Sequence, residues 1–142
     1  MTGHYIGTKV IKAQPMTRAG YNAYRGWDLP ADENGADDGY LVEYLDGGAP
    51  NHPRHAGYIS WSPKAQFDAA YLPMGDVEDF MPHQQRVVGE FVQLSDKVGK
   101  LRTFVGGRLF ITLPPEERAI LREQLSAMES YMDVLAKRVA RF

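Results

Sequence analysis

Apolar residues in the second half of the chain recur at alternating spacings of four and three residues, in two separate stretches. This spacing places them along one stripe of a helix, as in a coiled coil. We therefore expect two long antiparallel helices that pack as a hairpin, over about Pro82 to Val105 and Pro114 to Arg141. The stripes consist of Val87, Phe91, Leu94, Val98, Leu101 and Val105, and of Leu121, Leu125, Met128, Met132, Leu135, Val139 and Phe142.

Residues typical of helix ends border both stripes. Pro82 suits the first position of a helix, and Gly106 with Gly107 ends that helix. Thr112 is a candidate cap for the second helix, which starts at Pro114. The apolar segment 108–113 between them either pairs as a short strand or packs as a connector.

Further apolar side chains lie outside the two stripes, and an isolated hairpin would leave them in water. Large exposed apolar patches mark interfaces. We therefore expect the hairpin to bury them against the N-terminal unit or another copy, and to form a homo-oligomer. These residues are Val88, Val92, Phe104, Ile120, Tyr131 and Val134.

The first half of the chain has the pattern of a small antiparallel sheet. β-Branched and aromatic residues predict strands over 5–14 and 57–62, and a strand followed by a turn over 39–48. Pro15 ends the first strand. Large residues on both faces of the 39–48 strand favour a central position in the sheet.

Two short helices accompany the predicted strands. Thr17 suits the cap of a helix that Gly26 ends, and Ser62 with Pro63 suits the start of a helix that reaches about Tyr71. The fold class is therefore α+β, with a small module of antiparallel sheet and short helices over 1–80. Residues 81–142 form the long two-helix hairpin that drives oligomerisation.

Composition narrows the functional class. The 142 residues include no cysteine, which excludes disulfides, zinc–thiolate sites and a cysteine nucleophile. No apolar run approaches the roughly 20 residues of a membrane span. Residues 1–9 lack the apolar segment of a secretory signal, so we expect a soluble intracellular protein.

Charge is distributed unevenly along the chain, although the total is only −2. Residues 1–80 sum to −5 and residues 81–142 to +3, and seven of the ten basic residues in the second part are arginine. Arginine binds phosphate in a bidentate manner. The excess is too small for a duplex-DNA or other nucleic acid polymer partner, so a small anionic ligand fits better.

Motifs for catalysis and metal binding are weak. The glycines lack the spacing of a P-loop or dinucleotide fold, and the serines lack the context of a nucleophile. His52 and His55 form an H-x-x-H pair, for which an exposed loop is favoured over a metal site. The acidic loop 28–38 lacks the ligand order of an EF-hand. No cofactor, metal site or catalytic residue is predicted.

Arg118 and Arg122 are one turn apart near the start of the last predicted helix, and so share a face. Two guanidinium groups beside a helix N-terminus suit a phosphate clamp. Ordinary contacts explain them equally well: Arg118 could pair with a Gln or Glu one turn away, and Arg122 with Glu129 of a neighbouring copy.

Aromatic residues suggest a second candidate contact. Phe91 lies on the first hairpin helix between Arg86 and Arg102, where a ring can stack and phosphates can bind. Because Phe91 also belongs to the stripe, a core position is the alternative. Trp61 is one of several aromatics, most of which we expect in the core. These are Tyr40, Tyr44, Tyr58, Trp61 and Phe67.

Most of the chain resembles proteins of one phage family. The segments PHQQRVVGEFVQLSDKVGKLRTFV and FITLPPEERAILREQLSAMESYMDVLAKRVARF resemble the helical hairpin of phage sponges that sequester immune signalling nucleotides. The segments YIGTKVIKAQPMTRAGYNAYRGWDLPADENGADDGYLVEYLDGG and GYISWSPKAQFDAAY resemble a small module common in phage and prophage proteins. The combination resembles the founding anti-Thoeris sponge family, a relative of the anti-CBASS sponge.

The resemblance implies a non-enzymatic protein of the host bacterial cytoplasm, assembled as a homo-oligomer similar to a hexamer. It would bind glycocyclic ADP-ribose of Thoeris without cleaving it, and some members also bind CBASS cyclic di- or trinucleotides between subunits.

Individual residues carry over by the same resemblance. Arg118 and Arg122 match the arginines of the cyclic oligonucleotide site. For the cyclic ADP-ribose type of pocket, which the resemblance implies between the N-terminal unit and the first hairpin helix, the nearest matches are Phe91 or Val92 and Arg102 or its neighbour Leu101. Arg86 and Trp61 are further candidate contacts. The family pattern has Asn near position 102, where this chain has Arg.

Three functions therefore compete. The first is a nucleotide sponge, and the second is a phage structural or partner-binding oligomeric hairpin without a small ligand. The third, a phosphodiesterase, needs a metal cluster or a histidine base, for which the sequence offers little. Recovery of intact ligand after heating would distinguish the sponge from the other two.

Overall fold

A computed structural model describes all residues from Met1 to Phe142. The chain forms three strands and four α-helices, in the order strand, helix, strand, strand and then three helices. They divide into two units, Met1–Tyr71 and Leu72–Phe142. The sequence places the division at 80/81; in the structure the connector 72–81 belongs to the second unit. The α+β class, with a small antiparallel sheet and a long helix pair, is confirmed.

The sheet has the order β1-β2-β3, and both strand pairs are antiparallel. The central position of the second strand is confirmed. The first strand is shorter than the predicted 5–14, because Ile11 already pairs with Tyr44 at the end of β2 and earlier residues have no partner there. Pro15 is part of the strand, which an edge position tolerates. The strands are β1 (Ile11–Pro15), β2 (Gly39–Tyr44) and β3 (Ile59–Pro63).

Two short helices, α1 (Arg18–Arg25) and α2 (Lys64–Ala70), accompany the sheet. The predicted cap of α1 is confirmed, because the Thr17 hydroxyl accepts a hydrogen bond from the Gly20 N–H at 3.1 Å. The predicted Ser62 cap of α2 is wrong. Pro63 holds the cap position without a side-chain bond, and the Ser62 hydroxyl instead donates to the Pro63 carbonyl.

One short helix packs against each face of the sheet. Tyr21 of α1 forms a buried cluster with Leu41 and Ile59 on one face. Neighbouring strand residues point to opposite faces, so Tyr40 lies on the other side. There its ring stacks on Phe67 of α2 with the ring centres 3.9 Å apart.

The second unit is the predicted helical hairpin. Helix α3 (Pro82–Val105) has the predicted bounds, and its first turn is closed by the Gln84 side chain, which accepts from the Met81 N–H at 2.9 Å. Helix α4 (Pro115–Val139) runs antiparallel to it. Ring contacts pair Phe104 with Phe110 at one end and Phe80 with Phe142 at the other.

The connection between the two helices is a packed connector and not a strand. Phe110–Thr112 form one 3₁₀ turn, and the Phe110 side chain is buried. The predicted Thr112 cap of α4 is wrong, because its hydroxyl donates to the Leu109 carbonyl at 2.6 Å. Pro114 occupies the cap position without a side-chain bond.

The apolar stripes form the contact surface between α3 and α4. Every stripe residue is buried or half-buried, and Val98 and Leu135 are almost completely inaccessible. Of the apolar residues outside the stripes, Val88 is also buried and Val92 half-buried. The other four are exposed on the single chain: Phe104, Ile120, Tyr131 and Val134.

Candidate functional site

The start of α4 brings Arg118 and Arg122 together on one face. Arg118 is half-buried, and its Nε atom is buried without a hydrogen-bond partner. The Arg122 guanidinium lies 4.9 Å from the centre of the buried Phe110 ring, a cation–π contact, and the residue as a whole is exposed. Neither arginine forms a salt bridge with a carboxylate of the chain.

The arginines, more than the helix terminus, make this end of α4 attractive to an anion. Pro115 has no N–H to offer, and Glu116 and Glu117 in the first turn already compensate the helix dipole. Glu116 precedes Arg118 by two positions, about 200° around the helix, so it does not face that arginine. The two guanidinium groups remain free to bind a ligand.

The α3 candidates Arg86, Phe91 and Arg102 are spread along the helix. Arg86 and Arg102 are separated by sixteen residues of one continuous helix, about 24 Å. Arg86 also lies about 140° around the helix from Phe91. Phe91 is half-buried in the stripe, and Arg102 pairs with Glu129 of α4 at 3.3 Å. A small ligand therefore contacts only one of these arginines from a given copy.

Trp61 lies on β3 in the first unit, where its indole N–H donates to the Met16 carbonyl at 2.8 Å. One face of its ring carries the Arg18 guanidinium, 4.4 Å from the ring centre. The side chain lines a cavity of about 810 Å³. Trp61 is thus partly core, as expected of this group, and partly accessible to a ligand.

Three other residues of this cavity are not among the candidates that the sequence predicts: Arg18, Arg25 and Trp27. Gly26, with a positive φ of 72°, turns the chain at the end of α1. The Trp27 N–H then donates back to the Asn22 carbonyl at 2.8 Å, which closes a Schellman turn. The signal in the sequence is Arg-Gly-Trp at a helix end, which places the arginine beside the indole.

His52 and His55 are half-buried, unlike the exposed loop that the sequence predicts. The His55 Nδ1 lies 2.5 Å from Glu43 Oε1, and its Nε2 lies 2.7 Å from the Tyr24 hydroxyl. The His52 ring stacks on Tyr24 with 4.4 Å between ring centres. These contacts fasten the 49–56 loop to the sheet and to α1.

The Glu43 carboxylate is held by that cluster. Its hydrogen bond with His55 lowers the pKa of Glu43 below the ordinary 4.5, and the Gly57 N–H, which donates to it, acts in the same direction.

No three His, Asp or Glu side chains of the chain are grouped so as to hold a metal ion. None of the helices has the length and apolar composition to cross a membrane.

Comparison with known proteins links the hairpin to a phage family. The model of the Sequestin family matches residues 81–141, which include both long helices. A relative from Enterobacteria phage T4, described as an uncharacterized 7.5 kDa protein in the denB-rIIB intergenic region, is 36% identical over 62 residues. That match covers 44% of this chain and 97% of the relative. No solved structure matches the chain. Through its helical hairpin, the chain belongs to the Sequestin family.

Proposed function

We propose that this protein is a phage sponge, which binds anionic cyclic nucleotides of bacterial immune signalling in the host cytoplasm and holds them without cleaving them. Membership of the Sequestin family suggests a sequestering phage protein. The observation that carries the proposal is the pair Arg118 and Arg122, which share a face of α4 and have no carboxylate partner.

The arrangement suits binding better than catalysis. Each guanidinium offers several N–H donors in a planar fork, which matches two phosphate oxygens. No histidine lies within ten residues of either arginine along the chain, and no group of acidic or histidine side chains could hold a metal ion that activates water. The proposed ligand at this site is a CBASS cyclic di- or trinucleotide, and a homo-oligomer such as a hexamer supplies several copies of the pair around it.

A second contact set is proposed for glycocyclic ADP-ribose. It comprises Phe91, Arg86 and Arg102 of α3, and Trp61 of β3 in the first unit is a separate candidate contact for the same ligand. Because Arg86 and Arg102 are about 24 Å apart along α3, two copies of the chain would contribute one arginine each to a bound diphosphate. The Glu129 partner of Arg102 must then give way to the phosphate.

Calorimetry tests the first site. Cyclic tri-adenylate is titrated into the parent protein and into the double variant Arg118→Ala/Arg122→Ala. Loss of two charge-assisted contacts, worth about 1.5–3 kcal/mol each, weakens binding by at least about a hundredfold. The matched control is Lys137→Ala/Arg138→Ala, which removes the same charge from the last turn of the same helix and leaves the affinity unchanged. Equal affinity in the two double variants would contradict the proposal.

Recovery of the ligand tests sequestration. The protein is incubated with glycocyclic ADP-ribose or cyclic tri-adenylate, and heating then releases what it holds. Intact ligand supports a sponge, whereas a cleaved product supports an enzyme. If the parent depletes neither compound, the alternative of a structural or partner-binding oligomeric hairpin is favoured. The exposed Ile120, Tyr131 and Val134 of α4 are the observation on which that alternative depends.

A further inference from the structure

The first unit contains a cavity with the side chains of a small-molecule site. Its volume of about 810 Å³ falls within the range of ligand pockets. Both tryptophans of the chain, Trp27 and Trp61, line it. Polar side chains capable of orienting a ligand, among them Asn22 and Asp28, share the lining.

Arg25 is the group that favours an anion in this cavity. Its guanidinium is half-buried and lies 4.3 Å from the centre of the Trp27 ring. One of its nitrogens donates to the Tyr21 hydroxyl at 2.9 Å. No carboxylate lies within ion-pair distance of it, so most of its five donors remain available. A partly desolvated, uncompensated guanidinium is stabilised by an anionic ligand.

The other arginine of the cavity is already compensated. Arg18 lies 3.5 Å from Glu33 and 3.7 Å from Asp37, and its guanidinium covers the Trp61 ring. Its positive charge therefore balances the acidic groups near it. Of the two arginines that line the cavity, only Arg25 lacks a carboxylate partner, and Asp28 adds a negative charge to the lining. The cavity therefore suits one phosphate group better than a polyphosphate.

Exposed aromatic surface lies on the same cavity. Trp27 is 53% exposed and Tyr58 47%, which leaves part of each aromatic residue accessible to a ligand. Edge-on contact with Tyr21, at 6.0 Å between ring centres, holds Trp27 in place. Stacking of a planar ring on such residues tolerates any nucleobase.

We infer that this cavity binds a nucleoside monophosphate, with the phosphate on Arg25 and the base stacked on Trp27 or Tyr58. Asp28 also lines the cavity, and its carboxylate is an acceptor that ribose hydroxyls can use. The site lies entirely within the first unit, and it requires neither the hairpin arginines nor any residue after Trp61.

Fluorescence gives a direct test, because the only two tryptophans of the chain both line the cavity. Adenosine 5′-monophosphate is titrated into the full-length protein while tryptophan emission is recorded, with calorimetry in parallel. We expect a saturable change and a matching heat. Adenosine and inorganic phosphate, each lacking half of the ligand, should bind at least about tenfold more weakly.

Three variants locate the phosphate. Arg25→Gln should weaken binding about ten- to hundredfold, and Arg25→Lys, which keeps the charge but loses the fork, should restore part of it. Arg54→Gln, an exposed arginine of the same unit outside the cavity, is the matched control and should bind as the parent does. Melting curves of Arg25→Gln show whether the unit is still folded; if it is not, the comparison rests on Arg25→Lys.

Several results would overturn the inference. One is the absence of both emission change and heat up to about 1 mM nucleotide. Others are unchanged affinity in folded Arg25→Gln and Arg25→Lys, or equal losses in Arg25→Gln and Arg54→Gln. Much tighter binding of a short single-stranded oligonucleotide would replace a mononucleotide with a polymer ligand. The Arg118→Ala/Arg122→Ala variant should respond to the nucleotide as the parent does, so the two sites can fail independently.

Discussion

Truncation of one side chain in the seam between α3 and α4 tests whether the hairpin is held together as described. Leu135 is 0% exposed and is a member of the α4 stripe. The change Leu135→Ala removes three carbon atoms from this site and leaves a cavity between α3 and α4. The surrounding side chains can fill this cavity only if the helix backbones move.

The expected magnitude follows from burial. Loss of about three carbon groups at roughly 0.8 kcal/mol each gives about 2.4 kcal/mol, and the cavity left behind adds to it. We expect a decrease in the free energy of unfolding of about 3 kcal/mol, within the range of 2–5 kcal/mol for such changes. For a unit of this size, the melting temperature should decrease by about 10 °C or more.

Guanidinium unfolding followed by circular dichroism at one protein concentration measures the effect. The midpoint should decrease while the slope stays constant, because the folded structure is otherwise retained. Glu123→Ala on the exposed side of α4 is the control and should change stability by less than about 0.5 kcal/mol. If Leu135→Ala and Glu123→Ala unfold at the same midpoint, the stripe is not the core of this unit.

Two further predictions concern the exposed face of the hairpin and the histidine cluster. Val134 is 51% exposed on the single chain, so Val134→Asp should retain helical content but convert the expected homo-oligomer to a monomer in light scattering; a parent protein that is already monomeric would refute this. The pKa of Glu43 is lowered in the folded state, so its stabilising contribution is complete above the ordinary value of 4.5 and is lost as the pH falls through the lower folded value. Glu43→Gln should therefore be less stable than the parent at neutral pH and should show a smaller loss of stability in acid, and parallel stability curves for the two proteins would contradict the assignment.

The helical hairpin could be predicted from sequence because local signals and long-range packing agree. Pro82 starts α3, Gly106 follows its last residue, and the stripe between them has the period of a helix, so the bounds Pro82–Val105 were predictable. The start of α4 was less predictable, because threonine is a residue type that commonly caps helices and Thr112 lies just before the helix. Its hydroxyl bonds within the 3₁₀ turn instead, and two prolines provide the helix start.

The length of a strand in the sheet cannot be predicted from its own sequence pattern alone. Residues 5–10 have strand composition, but a strand exists only where a partner lies beside it. Since β2 ends at Tyr44, which pairs with Ile11, the ladder stops there and β1 is half the predicted length. The same limit applies to His55 of the 49–56 loop, because its carboxylate partner Glu43 lies on β2, twelve residues earlier in the chain.

The candidate sites differ in how far they depend on tertiary structure. Arg118 and Arg122 are one turn apart on one helix, so their shared face is a property of the sequence alone. The cavity of the first unit combines the end of α1 with β3, and its uncompensated cation is apparent only from the absence of a carboxylate near Arg25. The Sequestin match covers 81–141 only, which leaves the first unit without an assigned role from that comparison. Because that unit has its own core and its own cavity, its ligand can be tested separately from that of the hairpin.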